Sequence, residues 1–411
     1  MFARVILCAA FATALLTTPA FAASKRDWDE CKTNNDRTRD HRSRDRNIAA
    51  CTRVIDGRET QRRRATAFNN RCVAYNEKED YVSALADCNE AIRLYSSDAF
   101  FFSNRGNSWA GKSDLDRAFA DYNEAIRLDQ KYGVAYMNRG IAWYTKDDFD
   151  RAIADYAQAI KLDPKNAVAY TGRGIAWDAK GDLDRAVADF NEAIRLDPKY
   201  ALAYASRGFT WGSKGNFDRA MADCNKAIGL DPKDADAYNN RGDVLLAKGD
   251  FDRAVADFNE ATKIDPKNAD AYRSRGMVHF SKGDFRSAAD EFLKAVELDD
   301  DYAMLFRFLA RTRLDENGAA ELEANAARLK KKDWPYAAVE LYLGRRSAEE
   351  TLSAPTNPND RCEANFYVGA WHLTRGNRDE ARSNLQKAAD TCPKTFIEYS
   401  AAVAELKRMG R

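Results

Sequence analysis

The sequence predicts an all-α fold, a solenoid of antiparallel helix pairs. A 34-residue pattern recurs seven times without a gap between residues 65 and 302. Each unit contains two stretches in which apolar residues recur at helical spacing. A short polar turn separates the two stretches, and an Asp-Pro pair ends several units because proline cannot continue a helix. A helix pair this small cannot bury its apolar face alone, so consecutive units are expected to pack on each other.

The unit 167–200 shows how each helix pair is specified. Gly174 and Trp177 lie one turn apart on the first helix, and the missing side chain at Gly174 lets the second helix approach closely. Gly181 ends the first helix, since glycine is favoured just after a helix end. Phe190 faces back from the second helix. The same pattern in the neighbouring units places their tryptophans in the core rather than in a ligand site.

An arginine precedes the glycine position in every unit, and an acid follows sixteen residues later. The seven pairs are Arg71/Asp87, Arg105/Asp121, Arg139/Asp155, Arg173/Asp189, Arg207/Asp223, Arg241/Asp257 and Arg275/Glu291. We interpret them as ion pairs between the two helices of a unit, because partly buried arginine–carboxylate pairs are stronger than surface pairs. The alternative is a row of arginines that binds anions. An acid available to every arginine favours the first interpretation.

Composition and the first residues bear on partners and location. Lys and Arg (65) nearly balance Asp and Glu (64), which argues against nucleic acid or an anionic membrane as the main partner. Residues 1–22 have a basic start, an apolar run and an Ala-Phe-Ala site, the pattern of a secretory signal peptide cleaved after Ala22. No later apolar stretch is long enough for a membrane span. We therefore expect export.

The segments that flank the array differ from it. Residues 23–64 are polar and predict an amino-terminal cap that contains a degenerate helical unit, with a solvated linker around Arg37–Arg46. Residues 303–361 predict a divergent helical unit and a linker, including a helix that starts near Asp333. Residues 362–411 predict a terminal repeat-like unit and a closing helix.

Seven cysteines remain after the leader, and an exported chain can join them as disulfides. The candidates are Cys31, Cys51, Cys72, Cys88, Cys362 and Cys392. Cys31 with Cys51 and Cys72 with Cys88 are the preferred pairs, although four cysteines allow three pairings. Cys362 and Cys392 lie at the open ends of two antiparallel helices, which makes a third pair plausible. Cys224 is then the odd one, at a core position.

The period and its pattern resemble the tetratricopeptide repeat (TPR), which implies a right-handed superhelix whose first helices line a concave face. The tail, with Trp334-Pro335, Glu340–Gly344 and Asn365–Gly369, resembles the carboxy-terminal part of the periplasmic lipoprotein NlpI and its relatives. That resemblance implies a Gram-negative periplasmic adaptor for cell-wall hydrolases or their processing protease.

Side chains beside the arginine–glycine pairs would point into such a concave groove. The predicted peptide-binding residues are Asn70, Asn104, Asn138 and Asn240 with Asn107, Phe100, Tyr144 and Phe209 around them, and Asn239, Asp243, Met277 and Phe280 further on. A short amide can satisfy both the N–H and the C=O of an extended peptide. The alternative is that these asparagines are merely solvated positions.

The sequence therefore favours a non-catalytic scaffold that binds protein or peptide partners in its concave groove. The three histidines, His41, His279 and His372, are far apart, and no metal-ligand cluster, phosphate-binding loop or nucleophile motif accompanies them. We expect no catalytic residue, no cofactor and no metal. The alternative function is a self-assembling structural envelope protein, since uncapped solenoid ends can stack, but the atypical ends argue against stacking.

Overall fold

The computed structural model describes residues 23–32, 41–329 and 334–410. These residues form helices joined by short turns, and no strand occurs among them. The chain divides into two compact units, residues 1–164 and 165–411. They are called here the amino-terminal unit and the carboxy-terminal unit. The predicted signal peptide lies outside the described residues, as does most of the predicted linker around Arg37–Arg46.

The amino-terminal unit consists of four helix pairs. Its helices are α1 (Lys25–Lys32), α2 (His41–Asp56), α3 (Gln61–Asn76), α4 (Tyr81–Leu94), α5 (Ala99–Gly111), α6 (Leu115–Leu128), α7 (Gly133–Thr145) and α8 (Phe149–Leu162). The last three pairs correspond to the predicted repeats from residue 65 onward, so the predicted helix–turn–helix unit is confirmed. The first pair is the predicted cap, in which Cys31 and Cys51 form a disulfide beside buried Trp28.

The carboxy-terminal unit continues with four repeat pairs and ends in shorter elements. The repeat helices are α9 (Ala167–Ala179), α10 (Leu183–Leu196), α11 (Ala201–Ser213), α12 (Phe217–Leu230), α13 (Ala235–Ala247), α14 (Phe251–Ile264), α15 (Ala269–Lys282) and α16 (Phe285–Glu297). The remaining helices are α17 (Ala303–Thr312), α18 (Ala319–Ala326), α19 (Tyr336–Tyr342), α20 (Ala348–Ser353), α21 (Pro358–Thr374), α22 (Arg378–Thr391) and α23 (Ile397–Met409). The predicted helix start near Asp333 lies outside the described residues, and α19 begins at Tyr336.

Local sequence sets the ends of the repeat helices. The second helix of a pair begins after an acid or amide whose side chain accepts a backbone N–H, as Asp148 does from Arg151 at 3.1 Å. The residue before this cap has left-handed backbone, with φ of 80° at Gly181 and 60° at Asp147. Glycine adopts that conformation without cost, whereas other residues resist it. The tight turn therefore forces the two helices of each pair to lie antiparallel.

The two helices of a repeat meet where a glycine faces an aromatic ring. A Cβ added to Gly174 would lie 2.7 Å from the Phe190 ring, and one added to Gly242 would lie 2.5 Å from the Phe258 ring. Both distances are shorter than any relaxed carbon contact, so only glycine permits this approach. In α3 and α4 the same two positions are Cys72 and Cys88, which form a disulfide instead.

The end of the chain folds back onto the repeats of the carboxy-terminal unit. Helix α21 is joined to the end of α22 by the Cys362–Cys392 disulfide, and α23 packs on both of them. Helix α23 also contacts α13 and α15, the first helices of two repeats. The short helix α20 begins with a capping box formed by Ser347 and Glu350. No helix among the described residues is both long and apolar enough to cross a membrane.

Candidate partner-binding faces

Every predicted arginine–acid pair forms in the structure. Six arginines bind both carboxylate oxygens of their aspartate, as Arg139 does with Asp155 at 2.7 Å for each bond. The other bidentate pairs are Arg71/Asp87, Arg105/Asp121, Arg173/Asp189, Arg207/Asp223 and Arg241/Asp257. Arg275 donates to Glu291 at 2.7 Å. The guanidinium groups are thus neutralised inside the fold, which removes the basis for a row of anion-binding arginines.

A second set of contacts links consecutive repeats, and the sequence analysis missed it. The free nitrogen of Arg139 donates to Asn123 of the preceding repeat at 2.5 Å, and that of Arg241 donates to Asn225 at 2.7 Å. The same contact joins Arg105 to Asn89, Arg207 to Asn191 and Arg275 to Asn259. The asparagine stands two residues after the acid of the preceding pair, so this spacing was available in the sequence. These five arginines therefore stabilise their own helix pair and its contact with the preceding repeat.

The predicted asparagines form bonds between neighbouring first helices. The Asn104 amide donates to the Asn69 carbonyl oxygen at 2.9 Å, and Asn138 donates to the Ser103 hydroxyl at 3.1 Å. In the carboxy-terminal unit, Asn240 donates to the Ala205 main-chain oxygen at 3.4 Å. Asn70 has the equivalent position on α3 and is half-buried. An amide has two donors and an oxygen, so one donated bond leaves hydrogen-bonding capacity for a partner.

Asn107 forms a hydrogen bond with a core side chain in addition to lying on the surface. Its side-chain oxygen accepts a hydrogen bond from the buried Tyr122 hydroxyl at 2.9 Å. Burial also raises the pKa of Tyr122, because its ionised form would lose solvation. A buried hydroxyl without a partner would be costly. The predicted role of Asn107 in peptide binding thus competes with a structural role that its oxygen already fulfils.

Exposed apolar side chains surround the asparagines of α5 and α7. Phe100 is 54% exposed and Ile141 is 53% exposed, and Val134 and Tyr144 are also exposed. The Phe100 ring lies 4.5 Å from the Tyr132 ring, measured between centroids, so it is held against the start of α7. Large apolar groups left in water on a folded surface indicate a contact site when they occur together.

This surface lacks charge, and we call it the open face. It comprises the second, fifth, sixth, ninth and twelfth residues of the units 65–98, 99–132 and 133–166. They are Thr66, Asn69, Asn70, Val73, Asn76, Phe100, Ser103, Asn104, Asn107, Ala110, Val134, Met137, Asn138, Ile141 and Tyr144. None of the fifteen is charged, although charged residues make up 31% of the chain. Asn69 and Ser103 are buried, and the remaining residues of the open face offer amides and apolar groups to a partner.

Most of the equivalent residues of α13 and α15 are buried, although Asp236 and Asp270 are exposed. Asn239, Asp243 and Leu246 of α13 and Met277 and Phe280 of α15 are all buried. We call these five residues the covered face. The sequence placed four of them in a groove open to partners, and that prediction is wrong because α23 lies against α13 and α15. Farther back in the same unit, Phe209 and Asn240 are half-buried.

Polar contacts hold the end of the chain in this place. Arg408 of α23 donates to the main-chain oxygen of Phe280, and its guanidinium lies over the Phe285 ring. Just before α23, the Thr395 and Ser213 hydroxyl oxygens are 3.0 Å apart. These contacts join residues far apart in sequence, so no local pattern could have predicted them.

Known proteins match this architecture. Residues 137–201, 212–269 and 239–303 match the family model described as tetratricopeptide repeat. A tetratricopeptide repeat protein from Parabacteroides merdae ATCC 43184 is 21% identical, with a TM-score of 0.52 over 60% of this chain and 98% of its own. MamA is 30% identical over 41% of this chain and 91% of its own, with a TM-score of 0.33. The family model shows that residues 137–303 contain tetratricopeptide repeats, and the Parabacteroides protein shares the fold of repeated helix pairs.

Proposed function

We propose that this chain is an exported, non-catalytic adaptor that holds a protein partner against the open face of its amino-terminal unit. The observation that carries this proposal is the exposure of Phe100, Val134, Ile141 and Tyr144 beside the amides of Asn104 and Asn138. Apolar pockets between hydrogen-bonding groups suit a peptide or a helix of a partner. Repeat arrays use extended faces of this kind for protein contacts.

Two features support export to the periplasm. Residues 1–22 have the pattern of a secretory signal peptide. Three disulfides join Cys31 to Cys51, Cys72 to Cys88 and Cys362 to Cys392, and such bonds persist in oxidising compartments. Because the tail resembles that of NlpI, cell-wall hydrolases and their processing protease are the partners to test first.

Affinity capture from a Gram-negative envelope extract tests the proposal. The bait is the chain from Ala23 onward, compared with an Ile141→Asp variant that places a charge on the open face. A matched control is Val82→Asp, since Val82 is 70% exposed on the second helix α4 and does not belong to that face. We expect the same envelope enzymes on the parent and on the Val82→Asp chain, and their loss from the Ile141→Asp chain.

A double variant, Asn104→Ala with Asn138→Ala, separates the amides from the apolar groups. Loss of capture in this variant assigns the partner's backbone to the asparagines. Equal capture by all variants would show that the open face is not the binding site and would direct attention to the tail. Absence of any specific partner, together with mass that rises with concentration, would favour the self-assembling alternative.

A further inference from the structure

The covered face lies at the same repeat positions as the open face, but the chain itself covers it. On the open face Ile141 is 53% exposed, whereas Met277, at the same position of its repeat, is fully buried. The covering helix α23 buries one side of its own surface, including the fully buried Ala401 and Ala402. Both alanines belong to the same hydrophobic core cluster as Met277 and Phe280. The covered face is thus a surface on which a helix, α23, already binds.

The contact between α23 and the repeats is less complete than the core. Three buried polar atoms at the covered face and beside it lack a hydrogen bond within the described part of the chain: Asn239 Oδ1, Arg273 Nε and Ser281 Oγ. A buried polar atom without a partner costs about 1–3 kcal/mol. The covered face therefore retains polar atoms that can still form hydrogen bonds, as expected of a surface on which another helix can replace α23.

Buried acids add to this incomplete fit. Glu398 of α23 accepts a hydrogen bond from the Tyr367 hydroxyl at 2.9 Å, and Glu363 accepts one from the Trp334 indole at 2.7 Å. The nearby cation, Arg273, is already bound to Asp270 at 2.5 Å and to Asp300 at 2.8 Å. Burial raises the pKa of both glutamates, and repulsion by Glu398 raises that of Glu363 further. Glu405 of α23 is bound to Arg313 at 2.7 Å, whereas Glu398 and Glu363 form no ion pair within the described residues.

The chain connection leaves α23 attached at one end only. Helix α22 ends at Thr391, and Cys392 is fixed to α21 through Cys362. The segment 393–396 then leads to α23. Detachment of α23 by rotation in this segment also uncovers the sides of α21 and α22 on which α23 packs, while the disulfide keeps α21 and α22 joined.

We propose that the covered face is a second helix-binding site and that α23 is its built-in competitor. It takes a partner helix of the same pattern as α23, with small residues in the middle and a glutamate at the position of Glu398, within reach of the Tyr367 hydroxyl. A partner with this pattern displaces α23 and occupies its place. This inference concerns the carboxy-terminal unit and stands independently of the function proposed for the open face.

A synthetic peptide of residues 394–410, labelled with fluorescein, tests this site on the full chain from Ala23 onward. The Arg408→Ala variant loses the contacts of Arg408 with Phe280 and Ser281, which loosens α23. We expect this variant to bind the peptide at least about tenfold more tightly than the parent does. Lys407→Ala is the matched control, because Lys407 is the neighbouring cation on α23 and is exposed. Its affinity for the peptide should equal that of the parent.

Two further arms make the result decisive. A Ser213→Cys/Thr395→Cys chain, oxidised to join α11 to the segment before α23, should bind the peptide more weakly than the parent. A peptide with Ala401→Trp should not bind any chain. The proposal is overturned if the folded Arg408→Ala chain binds neither peptide or binds both alike. It is also overturned if a loosened chain pairs with a second copy in light scattering instead of taking up the peptide.

Hydrogen exchange on the parent chain supplies a measurement that needs no variant. We expect the amides of 397–409 to exchange faster than those of α21 and α22. Exchange of α23 only together with the whole carboxy-terminal unit would show that α23 is core, and would contradict the proposal.

Discussion

Glycine and its aromatic partner set the spacing within a repeat. A side chain at Gly174 would meet the Phe190 ring at 2.7 Å, whereas nothing lies within 4 Å of a Cβ added at Gly229 of α12. Both glycines are in helices of the carboxy-terminal unit, so they differ in surroundings rather than in backbone. A comparison of Gly174 with Gly229 therefore separates the effect of close packing from that of helix propensity.

Opposite effects on stability are expected from alanine at these two glycines. Gly174→Ala should lower the free energy of unfolding by about 1–3 kcal/mol, because the added methyl group overpacks the helix contact. Gly229→Ala should raise it by up to about 1 kcal/mol, since alanine is the better helix former. Urea unfolding followed by circular dichroism measures both. Equal changes in the two variants would contradict the packing argument.

The arginine–aspartate pairs also stabilise the fold through single residues. Asp155 is buried, and Arg139 binds both of its oxygens. Removing the arginine leaves a buried carboxylate without its cation, so Arg139→Ala should cost about 2–3 kcal/mol. Arg127→Ala is the control, because Arg127 forms an exposed pair with Glu124 and its loss should matter little. An Arg139→Ala chain as stable as the Arg127→Ala chain would refute the assigned role of these pairs.

At the scale of the helix, α13 combines an acid with a covered surface. Asp243 lies beneath neighbouring helices, where Asn239 donates to it at 3.2 Å and Ser274, Asp270 and Arg273 face it. Burial raises the pKa of Asp243 to about 7. In the unfolded chain an aspartate has a pKa of about 3.9. The folded state therefore keeps a proton that the unfolded state releases, and stability falls as pH rises through this window.

An Asp243→Asn variant removes this titration. Its melting temperature should be closest to that of the parent near pH 4, where Asp243 is protonated in the folded state and about half protonated in the unfolded state. The difference should grow as the pH rises and level off above about pH 7, with the variant more stable. Thermal unfolding in matched buffers from pH 4 to pH 8 measures the difference. A difference in melting temperature that stays constant over this range would show that Asp243 does not keep a proton in the folded state.

Local patterns account for the elements that the sequence predicted well. The 34-residue period, the Arg139/Asp155 type of pair and the Cys72–Cys88 contact all join residues of one helix pair, so a fixed spacing reveals them. The position of α23 on α13 and α15 could not be predicted in this way, because these two helices lie more than a hundred residues before it and its own sequence resembles any amphipathic helix. For the same reason Phe280 was expected on an open surface and is buried.

At the scale of the whole molecule, charge is distributed unevenly between surface and binding face. The chain has nearly equal numbers of acids and bases, and most of the second helices expose them, as with Arg93/Glu90 and Arg195/Glu192. The fifteen residues of the open face have none. The charged exterior keeps the protein dispersed, while the neutral face selects partners by shape and hydrogen bonds instead of by long-range attraction.

Binding at the open face should therefore be insensitive to salt. For a partner captured as described above, the dissociation constant should change less than about threefold between 50 mM and 500 mM NaCl, because ions screen contacts between charges and leave apolar contacts intact. Titration calorimetry at both concentrations measures it. An Asn138→Asp variant provides the comparison, since one charge placed on this face should make the affinity depend on salt. A parent chain whose affinity falls tenfold with salt would place the contact on the charged exterior, and the open face would lose its assigned role.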